Sequence, residues 1–101
     1  MSAGRVYVLV ARLSAEGVEL FNRYEDAALP RLAAHGGALQ RRLRSADART
    51  EVHLVWFPDE ASFEAYRADP ERAAAQPWLV ESGAACELLQ LEDVVPSPHR
   101  A

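Results

Sequence analysis

The chain has 101 residues and a net charge of −4, half of it hydrophobic and about a quarter charged. That is enough for one domain with one core, and the acidic balance gives no nucleic-acid footprint. All eleven basic residues are Arg and none is Lys, which excludes Schiff-base and Lys-base chemistry.

The single cysteine, Cys86, allows no intramolecular disulfide, in keeping with a reducing compartment. The apolar run Val6–Ala11 near the N-terminus is too short for a signal-peptide core or a bilayer span. The reading is a cytoplasmic protein with no membrane partner, a single domain over residues 1–101 and a frayed tail from about Pro96.

Arg5–Leu13 reads as the first strand. Val6, Val8 and Val10 fall on one face, and Tyr7, Leu9 and Ala11 on the other. Both faces are apolar, so the strand is expected to be central and covered on both sides. Ser14 is a candidate N-cap for a helix over Ala15–His35. Val18, Phe21, Ala28 and Leu32 recur there at helical spacing. Pro30 should kink or split this helix near Ala27. Gly36 or Gly37 then supplies a left-handed cap.

Leu39–Ser45 and Glu51–Phe57 read as a hairpin around the short polar loop Ala46–Thr50. The register is argued from charge. With Arg42 opposite His53, Leu43 faces Val52 and Arg44 faces Glu51, a cross-strand ion pair contributing roughly 0.2–1 kcal/mol. A one-residue slip exchanges every side chain's face. The preferred register groups Leu39, Leu43, Val52, Leu54 and Trp56 with Arg41. Gln40, Arg42, Arg44, Glu51, His53, Val55 and Phe57 take the other face.

Pro58 ends the second strand, and Asp59 caps the helix that follows, with Ala61, Phe63 or Ala65, and Tyr66 inward. Asp69-Pro70-Glu71 starts another helix, Asp at the N-cap and Pro at the first helical position. Pro77 is expected to stop it near Gln76. Trp78–Val80 then reads as a link and Ala85–Val94 as the last strand. The order is β-α-β-β-α-β, an α+β, ferredoxin-like arrangement with helices on one face of a four-stranded antiparallel sheet. Its other face, apolar here, needs a partner across a two-fold axis.

Tyr24 to Gly37 (YEDAALPRLAAHGG) resembles the helix end of the dimeric α/β-barrel superfamily. Phe57-Pro58-Asp59-Glu60-Ala61 and the later Tyr66…Asp69-Pro70-Glu71 are similar to a further segment of that superfamily. The match is closest to small bacterial proteins of unknown function, and similar to the antibiotic-biosynthesis monooxygenase-like and EthD-like branches. The resemblance implies a homodimeric barrel with a ligand pocket between sheet and helices. It implies no reaction, since that fold hosts oxygenases, isomerases, dehalogenases and non-enzymes. Trp56 stands where the unknown-function branch tends to place Glu, which weakens the carry-over of an acidic site residue.

The chemistry-bearing residues are few. His35, His53 and His99 lack metal-ligand spacing, and no HxxxH, CxxC, nucleophile elbow or phosphate loop occurs. No metal or cofactor is expected. Cys86 reads as a small buried hydrophobe. His35 reads as a cation near a helix C-terminus. His53, mid-strand among apolar residues, is either a satisfied core histidine or a general base. Its face lies toward the helices or toward the partner subunit. Arg42 is the candidate oxyanion partner. Tyr24, Trp56, Tyr66 and Trp78 either line an aromatic-ligand pocket or pack the core and interface. The functional expectation is a homodimer that binds a small molecule. The alternatives are a cofactor-independent monooxygenase or isomerase acting on an aromatic or polyketide-like substrate, or a structural subunit without catalysis.

Overall fold

A computed structural model describes residues 4–94. Four strands, β1 (Arg5–Arg12), β2 (Ala38–Arg44), β3 (Thr50–Phe57) and β4 (Ala85–Leu91), form one antiparallel sheet in the order β2-β3-β1-β4. Three α-helices, α1 (Val18–Ala28), α2 (Glu60–Arg67) and α3 (Pro70–Ser82), cover one face. This is the ferredoxin-like α+β fold read from the sequence. The tail from Pro96, and His99 with it, lies outside the described residues.

The long helix after Ser14 is divided. A 3-10 turn (Ala15–Gly17) leads into α1, and from Leu29 to His35 the chain tightens again into 3-10 geometry. Pro30 accounts for the change, because it has no N–H to continue the α-helical ladder. Ser14 is extended at the cap position, but its side chain makes no capping hydrogen bond. Gly36, at φ 76°, is the left-handed cap; Gly37 is not in that region. Gly37 is needed for room instead. A Cβ there would lie 2.6 Å from Cε1 of Phe57, which is fully buried. Gly83 is the opposite case, left-handed at φ 71° with nothing within 4 Å. Gly37→Val should therefore cost about 3 kcal/mol by overpacking, and Gly83→Ala about 1 kcal/mol by backbone strain alone. Urea midpoints at equal slope measure both; equal losses would contradict the steric account.

Both later caps form as read. The Asp59 carboxylate accepts from the Ser62 N–H, and that of Asp69 from the N–H groups of Glu71 and Arg72. Asp69 is buried and also holds Arg31 at 3.0 Å and His35 Nε2 at 2.7 Å. Hydrogen bonds from Arg31 and then His35 hold its carboxyl well below the usual range. His35 thus ties the 3-10 segment to the start of α3.

Four expectations need correction. α3 does not stop at Pro77 but runs on to Ser82, taking in Trp78–Val80. Pro77 removes the donor for the Ala73 carbonyl, yet both residues are exposed, where water can take its place. Ala75 and Leu79 continue the face packed on α1, and that burial outweighs the lost bond. On α2 only Phe63 is fully buried and Tyr66 partly so; Ala61 and Ala65 are exposed. In the hairpin, Arg42 faces His53, Leu43 faces Val52 and Arg44 faces Glu51, as the charge argument required. A bulge between Leu39 and Arg41 then shifts Leu39 opposite Val55, turning Leu39 to the helix side of the sheet. The last strand ends at Leu91, three residues short of the expected Val94.

The register fixes what each face carries. Tyr7, Leu9, Ala11, Glu51, His53 and Phe57 point toward the helices. Val6, Val10, Leu54 and Trp56 point away, and Leu43, Leu89 and Leu91 join them, each about 40% exposed.

Candidate functional site

Between sheet and helices lies a cavity of about 230 Å³. β1 contributes Tyr7 and Leu9, β3 contributes His53, Val55 and Phe57, and α1 contributes Tyr24 and Glu25. Phe63, Tyr66 and Arg67 come from α2, Arg72 and Leu79 from α3, and Cys86 and Leu88 from β4. Cys86 and Leu88 are exposed on the edge strand, so the cavity opens beside β4.

Its wall is mostly apolar, with aromatic rings beside Leu and Val side chains. Tyr7 stacks on Phe63 with centroids 3.9 Å apart, and Phe57 meets Phe63 edge-on. The Tyr7 hydroxyl is buried with no hydrogen-bond partner. Arg72 lies over the rings of Tyr24 and Tyr66, 5.9 and 5.4 Å from their centroids. Burial raises the pKa of both phenols, so they stay protonated.

Polar groups converge behind this wall. His53 and Glu51 are almost completely buried. Glu51 receives Arg42 Nε at 2.9 Å, Arg44 Nε at 2.6 Å and His53 Nε2 at 2.9 Å. Asn22 of α1 accepts from both arginines. Burial by itself would raise the Glu51 pKa, but the hydrogen bonds from Arg42, His53 and Arg44 prevail and hold it at about 2. An ionised carboxylate only accepts, so His53 Nε2 is the donor. Burial lowers the His53 pKa despite the attraction of Glu51. The neutral ring then presents Nδ1 as an acceptor. Glu25 Oε2 stands 3.8 Å from that nitrogen. Burial, opposed by Arg42, raises the Glu25 pKa to about 7.

No family model and no curated protein matches the chain. Solved structures do. SnoaB, a cofactor-independent oxygenase from Streptomyces nogalater, matches at TM-score 0.73 and 17% identity, over 95% of this chain and 99% of that one. A putative antibiotic biosynthesis monooxygenase from Nitrosomonas europaea matches at TM-score 0.76 and 13% identity, over 95% of each chain. Another from Bacteroides thetaiotaomicron reaches TM-score 0.77 at 15% identity, over 92% and 91%. The chain shares the fold of these three proteins.

Within that fold, the residues singled out from sequence divide. His53, Tyr24 and Tyr66 share the cavity wall. Arg42 does not; its guanidinium is engaged by Glu51 and Asn22 behind the wall. Trp56 points to the opposite face of the sheet, because it is one residue out of phase with Val55 and Phe57. Trp78 lies at the surface of α3 under Arg23, since Pro77 did not break the helix. Glu25 and Arg72 are the residues that sequence reasoning missed. Glu25 occupies the gap in the stripe Phe21, Ala28, Leu32, and a carboxylate at a core position of a helix was its signal. Among the described residues no three His, Cys, Asp or Glu side chains group as a metal set, and no helix is long and apolar enough to cross a membrane.

Proposed function

We propose that the protein is a homodimer that binds a small, largely apolar molecule in the cavity of each subunit. The observation that carries this is the convergence of Glu25 and His53 on a mostly apolar wall rich in aromatic rings, the usual composition of a small-molecule site. The cavity is smaller than the ~300–1,000 Å³ typical of ligand pockets, which favours one- or two-ring compounds. Phe57 and Phe63 line this space and leave it open, and Trp56 is turned away from it.

Dimerisation is supported by the uncovered apolar face of the sheet. Apolar area of this extent is seldom left in water. Sedimentation at micromolar concentration should give twice the chain mass, and Leu54→Arg should give a folded monomer. A folded monomer from the unchanged chain would sink the dimeric barrel. For the ligand, 2-naphthol and 2-methoxynaphthalene are suitable probes. Calorimetric binding of either, lost in Phe63→Trp, which fills the cavity, is the expected result. No heat with either probe would remove the reading.

The second reading is cofactor-independent oxygenation or isomerisation of an aromatic or polyketide-like substrate. The neutral His53 in the cavity wall favours it, as does the fold shared with SnoaB. A base removes a proton from an enolisable carbon. The resulting anion reacts with dioxygen directly, and converting CH₂ to C=O releases the other oxygen atom as water. No metal or flavin is required for that balance. Oxygen uptake with an anthrone, abolished in His53→Gln, tests this reading; uptake unchanged in that variant would remove His53 as the base.

A further inference from the structure

We propose that Glu25 accepts the proton of a hydroxylated aromatic ligand in the cavity, and that Glu51 is the positioning residue that holds His53 behind it with Nδ1 unprotonated. The proposal rests on the reading that the ligand occupies this cavity. It assigns the proton to a different residue from the one the sequence pointed to.

The geometry begins at Glu51. Its carboxylate is occupied by Arg42, Arg44 and His53 together, so it cannot itself face a ligand. It can fix the tautomer of His53, and through it the side of the ring that faces the cavity. Glu25 is the carboxyl left in the wall, 3.8 Å from the Nδ1 acceptor. When the ligand O–H breaks, its electron pair stays on the ligand oxygen and the proton forms an O–H on Glu25. That new donor has the Nδ1 lone pair within reach of a small closure. Arg72, in the same wall, supplies the cation that faces the ligand anion.

Every element around Glu25 bears on its titration. Arg42 faces it from β2, Glu51 and His53 from β3, Tyr66 from α2, Arg72 from α3 and Cys86 from β4, while Tyr24 and Asp26 flank it on α1. Arg42 and Arg72 favour the carboxylate; Glu51, Asp26 and above all burial oppose it. The resulting midpoint of about 7 lets the group take up and return a proton near neutrality.

The test is binding of 2-naphthol against pH, with 2-methoxynaphthalene, which has no proton to give, as the control. Affinity for 2-naphthol should be about tenfold weaker at about pH 5.5 than at about pH 8.5, because Glu25 is then already protonated. The control should bind equally at both, and Glu25→Gln should flatten the 2-naphthol profile. Flat binding of both probes to the unchanged protein overturns the role of Glu25 and leaves the cavity reading intact. Failure of both probes to bind overturns the two together. For Glu51, ¹⁵N shifts of His53 in the unchanged protein should show Nε2 protonated and Nδ1 bare. Glu51→Gln should move the 2-naphthol limb to lower pH, since a carboxylate that repels the Glu25 charge is gone. The opposite tautomer overturns the positioning role, and an unmoved limb in a folded variant overturns the direct action of the Glu51 charge on Glu25.

Discussion

Glu51→Ala should destabilise the protein by about 3 kcal/mol, the lower end of the range for breaking a buried ion pair from one side. The wild-type carboxylate is fully buried, pairs with two guanidinium groups and accepts a hydrogen bond from His53 Nε2–H. Alanine leaves Arg42, Arg44 and the imidazole N–H without that acceptor. The loss falls at the lower end because the two arginines are partly exposed, with side chains 27% and 38% accessible, and water can solvate them. Asn22 remains to bind both. The sign of the pH dependence follows from the depressed midpoint. Glu51 is at about 2 when folded, against 4.5 unperturbed. Its stabilisation is therefore complete above about pH 4.5 and fades as pH falls toward about 2. Urea unfolding of the two proteins should differ most at neutral pH, and the gap should narrow in acid. A constant gap from neutral pH to about pH 3 would mean that Glu51 acts through packing and not through charge.

The same ion pair explains how much of the fold could be read in advance. Arg44 against Glu51 set the hairpin register because a one-residue slip would separate the charges and reverse every face. Asp59 and Asp69-Pro70 marked helix starts because capping is local chemistry, decided within three residues. What escaped was decided by distant contacts. Pro77 should end a helix by its own covalent geometry, yet α3 continues because its next turns pack on α1. The bulge at Leu39 inserts one residue that no local pattern announces, and it moved a leucine to the other face. The site was legible in part. His53 stood out as a titratable group among apolar neighbours. Arg42 was assigned to the right side of the sheet but to the wrong neighbour space, since Glu51 claims it. Glu25 was hidden by its polarity: stripe-reading collects apolar residues, and a buried carboxylate interrupts the stripe.

Glu25→Gln should make the protein more stable above neutral pH by about 2 kcal/mol, and less stable in acid by about 1 kcal/mol. A carboxyl with a midpoint of 4.5 when unperturbed and about 7 in the folded chain binds more protons folded than unfolded between those values. Stability therefore falls as pH rises through that interval, by about 3 kcal/mol in full, and stays at the lower level above it. Glutamine never ionises, so it escapes the penalty; burying its amide without a full set of partners returns about 1 kcal/mol. His53 works in the opposite sense. Its lowered midpoint gives stability that is present above 6.5 and lost as pH falls. Wild-type stability alone would thus show a blunted profile, whereas the difference between wild type and Glu25→Gln isolates the carboxyl. Thermal or urea unfolding at about pH 4.5 and about pH 8 measures it. A variant less stable than wild type at the higher pH would mean that the Glu25 carboxylate is satisfied in the folded protein, and that burial does not govern its charge.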